Sequence, residues 1–205
     1  MTIVIMLALS ILTVLALNKY SEKKGFGYSK TQQFIAIITN MAIWMGFLAK
    51  YGYSTKTLLL CLASSILVSI FFVDLKHYII PNEYNLALFA LAIFFVANTS
   101  QYWTVFVKGG FFFALTFLVI FFVTKGSIGM GDVKMSLAIG LMMGIGYLMN
   151  YLIVTFLLGA LVSVILLILK KNTIKGKIAF GPYMVIAFFD LTLGIHEKIL
   201  SIPFG

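Results

Sequence analysis

Read for polarity alone, the chain is a run of long apolar stretches separated by short polar breaks. A helix rises 1.5 Å per residue, so crossing a bilayer takes about 20 mostly apolar residues. Eight stretches approach that length: about 2–17, 33–49, 57–73, 85–98, 103–123, 133–149, 151–169 and 178–195. The fourth is short, and the sixth and seventh nearly touch. The pattern predicts an all-α fold, a polytopic membrane bundle of about eight transmembrane helices. No internal repeat is visible, and no loop is long enough for a separate domain. Residues 1–205 therefore read as one integral-membrane domain.

Composition agrees. Of 205 residues 62% are hydrophobic and 10% charged, where a soluble domain carries about a quarter charged residues. The net charge of +9 comes from lysine, with no arginine in the chain. Such a charge on a soluble protein points to nucleic acid. On a membrane protein it places lysines in loops beside anionic lipid, so the expected partner is the bilayer and not nucleic acid. The lysines are unevenly distributed. The first, third, fifth and seventh loops hold 11 and the opposite side 4. By the positive-inside rule the odd loops are cytoplasmic and both termini face out. The N-terminal stretch agrees, because its first lysine, Lys19, follows its apolar core, the wrong order for a cleaved secretory signal. Cys61 is the only cysteine. It allows no internal disulfide and no paired-cysteine zinc site, and reads as a packing residue.

Six acidic residues remain: Glu22, Asp74, Glu83, Asp132, Asp190 and Glu197. Glu22 and Glu197 stand beside lysines and read as solvated charges. Asp74 ends the third stretch and Asp132 opens the sixth, which puts both at cytoplasmic helix ends. An Asp deep in a bilayer costs about 2.5–3.5 kcal/mol on insertion scales. Taken singly, each could mark a helix end, with Asp132 favourable near a helix N-terminus. The glycines at 129 and 131 add to this. They predict a turn in which the backbone takes positive φ and approaches another chain closely. Two carboxylates sharing a proton can hydrolyse a peptide bond without metal, one activating water and the other donating a proton. A rival class is a small proton- or cation-coupled transporter using Asp74, Asp132 and Asp190, although the repeats such folds show are missing. A scaffold subunit without chemistry is a third reading. Asp190, roughly 18 Å into the last stretch, reads as a polar contact inside the bundle. Pro81 sets the start of the fourth helix, and Lys134, about 200° around the helix from Asp132, reads as a membrane-surface anchor. Gly140, Gly144 and Gly146 offer a small-residue packing face.

Three motifs resemble one family. "GMGD" at 129–132 fits the Gly-x-Gly-Asp motif of intramembrane aspartyl proteases. "DLKHYIIPN" at 74–82 resembles the first-aspartate signature of type IV prepilin peptidases, and "GDVKM" at 131–135 resembles the continuation of their second. "IAFGPY" at 178–183 resembles the Phe-Gly-Pro motif that opens their last membrane helix. Presenilin-type proteases share Gly-x-Gly-Asp, but they place Tyr before the first aspartate and carry Pro-Ala-Leu. Here Val73 precedes Asp74 and no Pro-Ala-Leu occurs.

The resemblance implies that residues 1–205 form a single peptidase domain of the plasma membrane. It makes Asp74 and Asp132 the catalytic pair, supported by Gly129, Gly131, Lys134, Pro81, Asn82, Gly181 and Pro182. The implied substrates are prepilins or pseudopilins, cut at the cytoplasmic face to release a short basic leader. Many bacterial members carry a zinc-binding cysteine insert between the first two helices, associated with N-methylation. Here residues 18–30 contain no cysteine, so neither a metal or other cofactor nor methyltransferase activity is expected.

Overall fold

The structure, a computed structural model, describes residues 2–99, 102–125, 128–169 and 179–195. Every regular element among them is helical: α1 (Thr2–Lys23), α2 (Lys30–Tyr51), α3 (Thr55–His77), α4 (Asn82–Ala97), α5 (Trp103–Val123), α6 (Met130–Met143), α7 (Leu148–Ile168) and α8 (Gly181–Leu193). A single 3₁₀ turn, Ile145–Tyr147, joins α6 to α7. α1, α2, α3, α5 and α7 are long and apolar enough to cross a membrane, whereas α4, α6 and α8 are shorter. The lysines at 170, 171, 175 and 177, and Glu197 with Lys198, lie outside the described residues.

Local chemistry explains most boundaries. Ser29 and Gln32 cap the start of α2 reciprocally, and Ser54 caps α3 by accepting from the Thr57 N–H. α1 runs past its apolar stretch to Lys23 because its polar end residues find partners. Asn18 donates to Glu22 at 2.9 Å, and the Ser21 and Tyr84 hydroxyls meet at 2.5 Å. The expected boundary between the sixth and seventh helices is displaced. It falls at Gly144, where φ is +82°, and not near residue 150. Hydropathy does not drop there, so only the backbone conformation marks the break.

α3 forms the centre of the bundle and is buried over most of its length. Around Asn40, hydrogen bonds join α1, α2 and α3. Its Nδ2 donates to the Ser10 carbonyl and to Ser65 Oγ, and Thr13 also bonds Ser65. Such bonds stabilise membrane helix pairs by about 0.6 kcal/mol each. α5 and α6 pack closest where Gly109 and Gly140 face each other. A Cβ on either would strike backbone of the other. The anticipated glycine face is thus Gly140 and Gly144, packed against Gly109 and Gly110 of α5; Gly144 also breaks the helix, and nothing lies within 4 Å of a Cβ built on Gly146.

Contacts gather the first and third loops at one end. Lys76 Nζ and His77 Nε2 both bond the Gly27 carbonyl, and Lys24 pairs with Glu83 at 3.6 Å. At the opposite end Lys50 and Tyr51 donate to the Thr192 carbonyl. Asp190 lies on this distant side, about 14 Å along α8 from Gly181, and is half-buried.

Candidate active site

Asp74 sits in the last turn of α3. The helix ends at Tyr78, whose left-handed backbone (φ 57°) lets its N–H return to the Asp74 carbonyl. The carboxylate itself is buried, and its Oδ2 accepts the Gly181 N–H at 2.9 Å. Gly181 opens α8, so the donor is one of the unpaired amides of a helix start. The approach requires glycine: a Cβ there would lie 2.8 Å from Asp74 Oδ2.

Asp132 occupies the third position of α6 and reaches back to accept the Gly129 N–H at 2.9 Å. It therefore is a helix cap, but it satisfies only one oxygen this way. Its Oδ1 is sealed from solvent and has no hydrogen-bond partner among the described residues. The predicted positive-φ turn is absent. Gly129 is extended (φ −74°, ψ 151°) and Gly131 lies inside the helix. The glycines act by leaving room instead. A Cβ on Gly131 would lie 3.0 Å from Ile80 Cβ, in the link that follows Asp74.

Both carboxylates line one cleft of about 960 Å³ and lie within electrostatic reach of each other. Residues of both α5 and α7 line the cleft. Deeper in the bundle the two helices touch through Phe117, which packs on Tyr151 and Phe156. Phe180 closes on both Phe117 and Phe156 and makes an aromatic floor. Beyond it Ile120 and Thr124 line one wall, and Gly159, Ala160 and Ser163 the other.

The supporting residues connect the two aspartate segments. Lys134 Nζ donates to Asn82 Oδ1 at 2.8 Å, joining the starts of α6 and α4. The surface-anchor reading of Lys134 thus gains a specific partner. Pro81 precedes α4 at the N-cap position with φ −58°, and Pro182 lies in the first turn of α8. Two residues here escaped the sequence reading. Buried Asn85 donates to the Gly131 carbonyl at 3.1 Å, directly beside Asp132. Tyr183 lines the cleft. Asn85 carries a weak signal, a lone amide in an apolar stretch, and Tyr183 carries only its place at the end of the IAFGPY stretch. Asp190 is not brought to the pair. No three His, Cys, Asp or Glu side chains gather as a metal-binding group among the described residues.

Comparison with known proteins places this arrangement. A model of the type IV leader peptidase family matches residues 61–164, half of the chain. The chain belongs to the type IV leader peptidase family. The matched stretch contains both aspartates and the Asn82–Lys134 link and ends before Gly181. A "Prepilin leader peptidase/N-methyltransferase" of Legionella pneumophila is 28% identical over 171 residues, covering 78% of this chain. This leader-peptidase family member spans about 56% of the length of that relative. No solved structure shows a significant match.

Proposed function

We propose that this protein is a membrane-embedded aspartic endopeptidase that removes the basic leader from type IV prepilin-like precursors. The observation that carries the reading is the pairing in one cleft of two buried carboxylates from separate helices. Each is fixed through one oxygen by a glycine N–H, and the second oxygen of Asp132 has no partner among the described residues. A buried acceptor without a partner costs about 1–3 kcal/mol or more when the group is charged, a cost that protonation of Asp132, as the acid of the pair, reduces.

In this mechanism one carboxylate is ionised and takes a proton from water. The other, protonated, donates to the carbonyl oxygen of the bond being cut. Family membership supports a peptide substrate. The name of the Legionella relative supports a prepilin. The lysine distribution supports a cytoplasmic active site in a plasma-membrane protein with both termini outside, the whole of 1–205 acting as one peptidase domain. Only residues 24–29 join α1 to α2, which supports cleavage without methylation.

The test is cleavage of a prepilin-like peptide by purified protein in detergent, wild type against Asp132→Asn. Cleavage lost only in the variant supports the peptidase. Equal cleavage by a folded variant would transfer the aspartates to the transporter reading.

A further inference from the structure

We propose that Tyr183 is a third catalytic residue, its phenol donating a hydrogen bond to the carbonyl oxygen of the bond being cut. This rests on the aspartic-peptidase reading and adds a residue to it. Tyr183 stands in the first turn of α8, two residues after the Gly181 whose N–H holds Asp74. It lines the cleft with both carboxylates and lies within electrostatic reach of Asp74 and Tyr78. Its ring is fixed edge-on against Phe180, with centroids 6.2 Å apart, and rests beside Gly159.

A buried tyrosine ordinarily finds a hydrogen-bond partner. Two others here do: Tyr84 donates to the Leu17 carbonyl at 2.8 Å and Tyr151 to that of Met184 at 3.1 Å. The Tyr28 hydroxyl has none, but it is sealed in the core. Tyr183 is only 8% exposed, yet its hydroxyl is neither sealed nor bonded among the described residues. Because Tyr183 lines the cleft, it is an unbonded donor where a bound acceptor can reach it.

The step balances without the phenol losing its proton. The water oxygen bonds to the carbonyl carbon. Its proton passes to the ionised carboxylate, and the acid's proton passes to the carbonyl oxygen, giving a gem-diol. The Tyr183 hydrogen bond strengthens as charge builds on that oxygen. On collapse the C–N bond breaks. The amine takes the proton first drawn from water, and a gem-diol hydroxyl returns its proton to the other carboxylate. A donor that acts as charge develops lowers the barrier more than it tightens substrate binding.

The test is steady-state cleavage of a prepilin-like peptide by the full chain in detergent. Tyr183→Phe keeps the ring packing and removes the donor. We expect kcat to fall about 100-fold, the lower range for one oxyanion donor, with KM and melting temperature unchanged. Incorporating 3-fluorotyrosine at 183, a stronger donor of similar shape, should change kcat while leaving stability alone. Unchanged kcat with both substitutions, or a loss carried by KM, overturns the proposal. Asp74→Asn is run alongside. If it is inactive while Tyr183→Phe is fully active, the dyad stands and the tyrosine role fails. If it cleaves normally, the peptidase mechanism and the tyrosine role fail together.

Discussion

A methyl group at position 181 tests how tightly the site must be built. In Gly181→Ala the new carbon would start 2.8 Å from Asp74 Oδ2 and 3.3 Å from both Asp74 Cγ and Ile80 Cδ1. The oxygen must retreat roughly 0.6 Å to reach ordinary van der Waals separation. That stretches the 2.9 Å hydrogen bond from the Gly181 N–H toward the limit of a useful one. A hydrogen bond to a charged group contributes about 1.5–3 kcal/mol, and alanine in place of helical glycine returns about 0.5–1 kcal/mol. Folding should therefore weaken by only about 1–2 kcal/mol. Catalysis should suffer more, since a displacement approaching 1 Å can cost on the order of 100-fold. We expect cleavage to fall between about 10- and 100-fold. The assay is peptide cleavage in detergent, read beside the melting temperature. Gly129→Ala is the internal comparison: its Cβ would lie 3.2 Å from Asp132 Oδ2, and its loss should be smaller. A rate for Gly181→Ala within about threefold of wild type would show that Asp74 tolerates displacement, contrary to the near-attack argument.

Asp74→Asn and Asp132→Asn should each lose nearly all cleavage, and the double variant should be little worse, because partners in one mechanism are not additive. The pH profile of cleavage should be bell-shaped and belong to the pair, and a rate independent of pH across the acidic and neutral range would contradict proton sharing. Asn82→Ala and Lys134→Met should each slow cleavage, and a double-mutant cycle should show coupling of about 0.5 kcal/mol or more; strict additivity would mean that their bond has no part in the site. Reporter fusions after Lys24 and His77 should report cytoplasm and fusions near Tyr53 the outside, and the opposite pattern would invert the site.

Period and motif made different parts of the molecule legible. Apolar stretches located the eight helices of the described residues, five of them long enough to cross a membrane, because the membrane requirement acts on composition over many residues. It missed the end of α6, because Gly144 breaks the helix through its backbone within an apolar stretch. It also stopped α1 at residue 17, although buried polar contacts carry that helix to Lys23. At the site, scarcity singled out Asp74 and Asp132, and the structure brings them into one cleft. The glycine spacing suggests freedom of φ, whereas the structure uses Gly131 and Gly181 for clearance, which depends on neighbours distant in sequence. Asn85 and Tyr183 were missed for the same reason. A lone amide or phenol in an apolar helix acquires meaning only from what folding places beside it.

The two carboxylates are held in different ways, and this separates their vulnerabilities. Asp132 is fixed by Gly129, three residues away at the start of its own helix. Once α6 forms, that contact forms with it. Asp74 is fixed by Gly181, 107 residues distant, and the contact exists only when α8 docks against α3. The part of the chain that matches the family model contains both aspartates but stops before this donor. In the proposed mechanism α8 is therefore the element that completes the pair. It supplies the amide that orients Asp74 and the phenol offered to the substrate from a single turn of helix. α8 is only 13 residues long, about 20 Å against roughly 30 Å of hydrocarbon. Its first turn can thus lie below the membrane surface, where water is scarce and an oriented donor acts more strongly than it would in bulk solvent.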